Sequence, residues 1–371
     1  MTEVACPTST AEVAEVVRDA AARGLSVVAQ GRGTKQSWGM PVPADLVVDL
    51  SRMDQVLGHQ AGDLIVETQA GARLADVQAV VGAEGQRLAL DETVPGASIG
   101  GTIATNAAGP QRLLSGTARD LLIGLTVVRA DGVVAKSGGR VVKNVAGYDL
   151  GKLVVGSFGT LAVVTEALFR LHPVPETRRW VTVEVDDAQR AHDLAHAVVH
   201  AQAVPWAVEV DWSHGGTLAV LLGGRRDGVE ARVRTVQNLT GGVVTEDEPP
   251  GWGRYPWEPG ESGLKITFVL SGLRDVLSAC DDVGARVRGS AGTGVVYAAL
   301  ADPAAVPDAL ARLREVAARY AGSVVLLDGP DEVKSAVDVW GPVPAIGLMR
   351  RVKDQLDPDH RLAPGRFVGG I

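Results

Sequence analysis

VPGASIGGTIATNAAG, Val94 to Gly109, and ARDLLIGLTVVRADGVVAKSGGRVVKNVAGYDLGKLVVGSFGTLAVVTEALF, Ala118 to Phe169, decide how this chain is read. Glycines break the apolar runs at Gly96, Gly100, Gly101, Gly109, Gly147, Gly156 and Gly159. A glycine permits positive φ and lets a ligand come close to the backbone. The intervening Ala97, Ser98, Thr102, Thr105 and Asn106 are small or carry one short polar group. Loops of this kind suit an anion held by backbone N–H groups rather than by lysines. One such loop would be an ordinary turn; three in one segment point to a site for a bound anion.

Working outward towards the N-terminus, Ser9-Thr-Ala-Glu12 fits a capping box opening a helix through Arg23, with Gly24 as its stop. LSVVAQ then reads as a buried strand running into Gly31-Arg32-Gly33-Thr34-Lys35-Gln36. A dinucleotide fold of the GxGxxG type is excluded, because Gln36 stands at the third glycine and Gly39, Pro41 and Pro43 bar a following helix. GxxxxGK[ST] does not occur. DLVVDLS and LIVETQAG are further strands, followed by a helix near Ala72–Val81. LLIGLTVVRADGVVAKS is a hairpin turning at Asp131-Gly132, and a short helix is expected around Asp149–Val154. TLAVVTEALFRLHPVP is a strand pair or a bent strand ending at Pro173, where the first domain, 1–173, closes.

From Trp180 the pattern changes to strand, helix, two strands, helix, strand, and the same order returns from Leu264. Two βαββαβ units in series predict a broad antiparallel sheet with helices on one face, a cap domain over 174–371. The fold class is α+β. Between the units, linker 245–262 reads TEDEPPGWGRYPWEPGES and carries Trp252, Tyr255 and Trp257. It is either an exposed connection or a lid or docking loop.

The 371 residues suit two domains, and 46% hydrophobic residues suffice for sizeable cores. A formal net charge of −8 does not indicate a nucleic-acid partner. Cys6 and Cys280 stand far apart, so the chain offers no iron–sulfur ligand set, zinc site or disulfide framework. MTEVACPTSTAEVAEVV lacks a basic, apolar leader, and no run approaches about 18 apolar residues, so no membrane span and a cytoplasmic setting are expected.

QGRGTKQSWG, PGASIGGTIATNAAG, RVVKNVAGYDLGKL with GSFGTLAVVTEA, and LDPDHRLAPGRF occur in the order and spacing of a known group. On these motifs the first half resembles the FAD-binding domain of the p-cresol methylhydroxylase/vanillyl-alcohol oxidase superfamily, and the second half its shorter cap. Within the superfamily the chain is similar to the E-type FAD-binding subunits of bacterial glycolate oxidases. The resemblance implies a two-part FAD-binding domain in which Gly31, Arg32, Gly33 and Thr34 form the first pyrophosphate turn. Pro95, Gly96, Ala97, Ser98, Gly100 and Gly101, then Thr102, Asn106 and Gly109, would continue the cradle. Tyr148, Gly156, Gly159, Thr160 and Val163 would lie along the flavin and adenosine. No histidine occurs in the first two loops, where relatives often attach flavin covalently, so FAD is expected to be non-covalent.

The resemblance further implies a small 2-hydroxy acid substrate, with electrons passed to a second, D-type flavoprotein subunit and an iron–sulfur subunit. Any peripheral attachment to the inner membrane would come through those partners. Rival readings are a stand-alone flavin oxidase of another alcohol or acid and a non-catalytic assembly subunit. Hydroxy-acid dehydrogenases of the superfamily carry a metal-binding His-x-Gly-Asp-Gly-x-x-His run in the cap; here Ser290-Ala291-Gly292-Thr293-Gly294-Val295-Val296-Tyr297 stands in its place. With neither imidazole nor carboxylate, no metal is expected there. Ala363 also replaces the usual asparagine.

His192, His196 and His200 form one stripe on the predicted cap helix, beside its apolar face, and read as a solvated flank: HDLAH lacks the HExxH glutamate. His172 reads as structural, and GxSxG is absent. Lys143, Tyr148 and Arg366 are candidates for contact with flavin or a substrate carboxylate, and the catalytic residues stay unassigned.

Overall fold

The computed structural model describes residues 2–140 and 149–371. The chain folds as two units, Met1–Ala108 with Thr117–Val174 and Pro342–Ile371, and Gly109–Gly116 with Pro175–Gly341.

The first unit begins with β1 (Glu3–Ala5), α1 (Thr10–Ala22), β2 (Val27–Gln30) and β3 (Leu46–Asp49). The three strands form a parallel sheet ordered β1-β3-β2. α1 buries Val13, Ala14, Val17 and Ala20, a single helical stripe. Ser9 Oγ accepts from the Glu12 N–H at 3.2 Å, but the Glu12 carboxylate reaches past Ser9 to the Thr8 N–H at 2.8 Å, so the capping box closes one residue early. Gly24, at φ +68°, takes the chain out of the helix.

β4 (Val56–Gln60), β5 (Ile65–Gln69), α2 (Leu74–Gly82), β6 (Gln86–Arg87) and α3 (Ile99–Thr105) follow. α4 (Arg112–Ser115) belongs to the second unit. α5 (Ala118–Leu121), β7 (Leu122–Val128), β8 (Val134–Gly138), α6 (Leu150–Val154), β9 (Val163–Arg170) and β10 (His172–Pro173) return to the first. β4-β5-β9-β7-β8 is an antiparallel sheet, while β10 pairs with β6, so the TLAVVTEALFRLHPVP strand is bent between two sheets. The β7–β8 hairpin turns where expected, with Gly132 at φ +76°. Central β9 is buried along nearly its whole length, with Val163, Val164, Ala167, Leu168 and Phe169 supplying its apolar contacts. Thr10 Oγ1 and Thr126 Oγ1 each donate to Glu166 at 2.9 Å, tying α1 to this sheet.

The second unit contains β11 (Thr177–Val185), α7 (Ala188–His200), β12 (Ala207–Trp212), β13 (Gly216–Gly224), α8 (Arg226–Thr240) and β14 (Val243–Thr245). β15 (Ser262–Thr267), α9 (Leu273–Asp282), β16 (Arg286–Ser290), β17 (Val295–Leu300), α10 (Val306–Arg319) and β18 (Ser323–Asp328) repeat the order. They make one eight-stranded antiparallel sheet, β14-β11-β13-β12-β16-β17-β15-β18. Each βαββαβ half orders its strands fourth, first, third, second, and the halves join where their second strands, β12 and β16, pair. The expected cap fold is present.

The aromatic linker is neither a bare connection nor an outward contact loop. Trp252 meets Trp180 edge-on at 6.2 Å, and Tyr255 stacks on Trp257 at 4.6 Å and meets Tyr297 at 4.5 Å. The Trp257 ring covers Gly263, where a Cβ would stand 2.5 Å from it. The sheet offers a flat apolar surface beside a glycine, and large rings gain more by covering it than by facing water.

After α11 (Asp331–Ala336), α12 (Ile346–Leu356) and the following segment rejoin the first unit. The sequence reading placed this stretch in the cap; its backbone pairing carries it elsewhere. Val27 N–H donates to the Arg361 carbonyl at 2.7 Å and Ala363 N–H to the Val27 carbonyl at 2.8 Å, adding Leu362 in parallel beside β2. Ala363 takes φ +42°, a left-handed conformation that asparagine tolerates better than alanine. Among the described residues no helix is long and apolar enough to cross a membrane.

Candidate functional site

A cleft opens in the first unit. Four segments line it: the Gly31–Gln36 turn after β2, the start of α3, the Ser157–Gly159 loop and Arg366. The glycines have different reasons. At Gly31 a Cβ would stand 2.2 Å from Ser98 Oγ, so the turn and α3 approach too closely for a side chain. At Gly159, φ is +78° and nothing lies within 4 Å, leaving backbone open to the cleft. Ser98 caps α3 by accepting from the Gly101 N–H at 3.2 Å. Gly156 and Phe158 N–H groups donate to the Ile103 and Ala104 carbonyls at 3.0 and 2.8 Å, clipping the second loop to the end of α3. Phe158 stacks on Phe367 at 5.4 Å.

The lining contains Arg32, Lys35 and Arg366 but no Asp or Glu. Arg32 donates to the Gly71 carbonyl at 3.0 Å and pairs with Asp54 at 3.2 Å. Arg366 is 8% exposed; its Nη2 donates to Gln36 Oε1 at 2.9 Å while its buried Nε has no partner among the described residues, and burial lowers its pKa. The Ser157 hydroxyl is also buried without a partner among the described residues. Lys35 is 7% exposed, its Nζ 3.5 Å from Thr34 Oγ1 and 6.0 Å from the centre of the Trp38 ring. Leu50, Ala104, Val154, Ala162 and Val164 make the remaining wall apolar. A cationic, acid-free cleft with unmet donors and apolar walls fits a dinucleotide: diphosphate to the cations and N–H groups, flat rings to the apolar side.

Of the residues expected to hold FAD, Gly31, Arg32, Gly33, Thr34, Ser98, Gly100, Gly101 and Gly159 line this cleft together. Gly96 stands behind it, 4.0 Å from Thr34 as measured to a built Cβ, with its N–H already given to Glu92. Pro95 is exposed and Ala97 buried beside it. Thr102 and Thr160 return their hydroxyls to the Ser98 and Ser157 carbonyls, and Val163 lies in the core of β9. Asn106 caps α3 at φ +48° with its buried Oδ1 unpaired, next to Gly156. Gly109 falls in the second unit, and Tyr148 and Lys143 lie outside the described residues. Sequence reasoning expected backbone N–H groups with little cationic help and so passed over Lys35 and Ser157. A lysine inside a glycine-rich turn was the available signal.

Residues 2–138 match the family described as FAD binding domain. The chain binds FAD. An uncharacterized FAD-linked oxidoreductase of Mycobacterium tuberculosis is 28% identical over 98% of this chain and 90% of its own length. Glycolate oxidase subunit GlcD of Bacillus subtilis is 33% identical over 56% of this chain and 44% of the relative. Glycolate oxidase subunit GlcE of Escherichia coli is 31% identical over 49% and 52%. The flavoprotein is thus homologous to FAD-linked oxidoreductases, and similarity alone does not separate an E-type from a D-type subunit. A structure of alkyldihydroxyacetonephosphate synthase superposes with TM-score 0.72 at 16% identity, covering 97% of this chain and 75% of that one, which establishes the shared fold.

In the second unit, Arg112 of α4 donates to the Tyr297 hydroxyl at 3.0 Å, its guanidinium 5.9 Å from the ring centre. The Ser290 and Thr293 hydroxyls are buried without partners. On α7, His196 and His200 are exposed and stacked at 4.0 Å, and His200 Nδ1 donates to the His196 carbonyl at 2.8 Å. Among the described residues no three His, Cys, Asp or Glu are placed to hold a metal ion. Burial, with Arg87 and Arg170 nearby, lowers the pKa of His172, and burial raises that of the Cys280 thiol.

Proposed function

We propose that this flavoprotein is the E-type, FAD-bearing subunit of a glycolate-type 2-hydroxy-acid dehydrogenase. It passes electrons to a D-type flavoprotein and an iron–sulfur protein. The observation that carries the reading is the pairing of a cleft suited to FAD with a cap whose Ser290–Tyr297 run lacks imidazole and carboxylate. Similarity to both glycolate oxidase subunits supports it. FAD supplies a two-electron acceptor at its isoalloxazine ring. Arg32, Lys35 and Arg366 would hold the diphosphate, while Phe158, Val154 and Ala162 offer apolar wall that would keep bulk water from the bound cofactor. With neither imidazole nor carboxylate in its Ser290–Tyr297 run, the chain relies on a partner to bind the hydroxy acid for oxidation.

Purified alone, the protein should be yellow and should release its flavin on acid precipitation, since no His, Cys or Tyr lines the cleft among the described residues. It should oxidise glycolate or D-lactate slowly with an artificial acceptor, and quickly once co-purified with its partners. Rapid turnover by the monodisperse chain would overturn the subunit reading. It would favour a stand-alone oxidase. A colourless protein would favour an assembly subunit.

A further inference from the structure

We propose that Lys35 is the counter-ion of the FAD diphosphate and makes cofactor binding proton-linked. The chain supplies its own comparison. Lys353, wholly buried, donates to three oxygens: Asp357 at 2.6 Å, the Thr160 carbonyl at 2.7 Å and the Leu362 carbonyl at 3.0 Å. That is how a structural buried ammonium is satisfied. Lys35 is nearly as buried, yet among the described residues its hydrogen-bond partner is the Thr34 hydroxyl at 3.5 Å, and no described carboxylate pairs with it. It sits on the lip of the Gly31–Gln36 turn opposite α3, where a Cβ built on Gly101 would stand 3.8 Å from Nζ. A buried charge left this way is costly unless an anion comes to meet it.

The charged groups around it agree. Glu92 attracts it through space, and Arg32 and Arg366 share the cleft. α3 (IGGTIAT) and the Ser157–Ala162 loop bring no charge of their own. The cleft therefore concentrates positive charge where the backbone of Gly31–Thr34 and Gly159 is accessible. Burial pulls the Lys35 ammonium down to about 8. A diphosphate beside it favours the charged form and raises that value. Affinity is then fully present below about pH 8 and falls above it, as the free protein loses a proton that binding must restore.

The inference rests on the FAD reading, and the experiment separates the two. Flavin is stripped from the full-length chain and FAD binding is followed by fluorescence at pH 7 and pH 9. The wild type should bind about tenfold more weakly at pH 9, one proton being taken up per FAD over about one pH unit. Lys35→Met should bind at least tenfold more weakly at pH 7 and lose the pH dependence. Lys35→Arg, charged at both pH values, should bind tightly at both. FAD uptake that ignores both pH and Lys35→Met would overturn this inference alone. A wild type that takes up no FAD at either pH would overturn the cofactor reading and the inference with it. Should Lys35→Met fail to fold by circular dichroism, Lys35→Arg decides: a flat profile supports the role, and the wild-type slope refutes it.

Discussion

Lys353 Nζ donates to the Thr160 carbonyl at 2.7 Å, joining α12 to the loop that borders the flavin cleft. The same ammonium pairs with Asp357, whose carboxylate also accepts from the Arg361 and Leu362 N–H groups at 3.1 and 2.7 Å. Burial opposes the charge on Lys353 and lowers its pKa, an effect that Asp357 partly offsets. The C-terminal segment is thereby part of the cofactor domain.

Lys353→Met should strip a buried carboxylate of its partner and cost about 3–5 kcal/mol in urea unfolding. Removing both charges, with Lys353→Met and Asp357→Leu together, should cost less than the single change. A single-variant loss under about 1 kcal/mol would show that the pair is not coupled to folding.

Gly31→Val should empty the cofactor site. Its Cβ would fall 2.2 Å from Ser98 Oγ, forcing the turn and α3 apart. The flavin-to-protein absorbance ratio should drop at least tenfold while the far-ultraviolet dichroism stays close to wild type. Gly101→Val is milder in the protein, 3.1 Å from Ser98 Oγ, but stands beside Lys35 and should lower flavin content as well. Gly100 and Gly101 lie in α3 without positive φ, so the effect comes from filled space rather than backbone strain. Full flavin occupancy in Gly31→Val would place the cradle elsewhere.

Trp257→Ala should destabilise the cap by about 2–4 kcal/mol, since the ring covers Gly263 and stacks on Tyr255. Flavin content should not change. Were Trp257 instead a docking residue, thermal unfolding would be unaltered and only association with partner subunits would weaken.

Elemental analysis of the purified chain should find no stoichiometric zinc, iron or manganese. His200 spends its Nδ1 on the His196 carbonyl, and the stripe has no carboxylate or thiolate placed with it to complete a ligand set. About one metal per chain, lost in His196→Ala, would contradict this.

What the sequence determined by itself was local or periodic. α1 is announced by its cap and stripe, the β7–β8 hairpin by Asp131-Gly132, and the two βαββαβ units by alternating periods of two and 3.6. The glycine-rich turns marked the cofactor domain because glycine is needed wherever backbones approach as Gly31 and Ser98 do. α3 escaped notice because Gly100 and Gly101 are poor helix formers, and only Ser98 and the surrounding packing stabilise those seven residues. The aromatic linker was ambiguous because a Trp has the same composition whether it faces solvent or covers Gly263.

Tertiary structure alone decided the rest. Arg366 reaches Gln36 across 330 positions, and Leu362 joins the edge of β2. Neither pairing leaves a periodic trace in a strand that short. The difference between Lys35 and Lys353 is likewise invisible in the letters. Both are lysines, and what separates them is the set of oxygens the fold brings within reach of each buried ammonium.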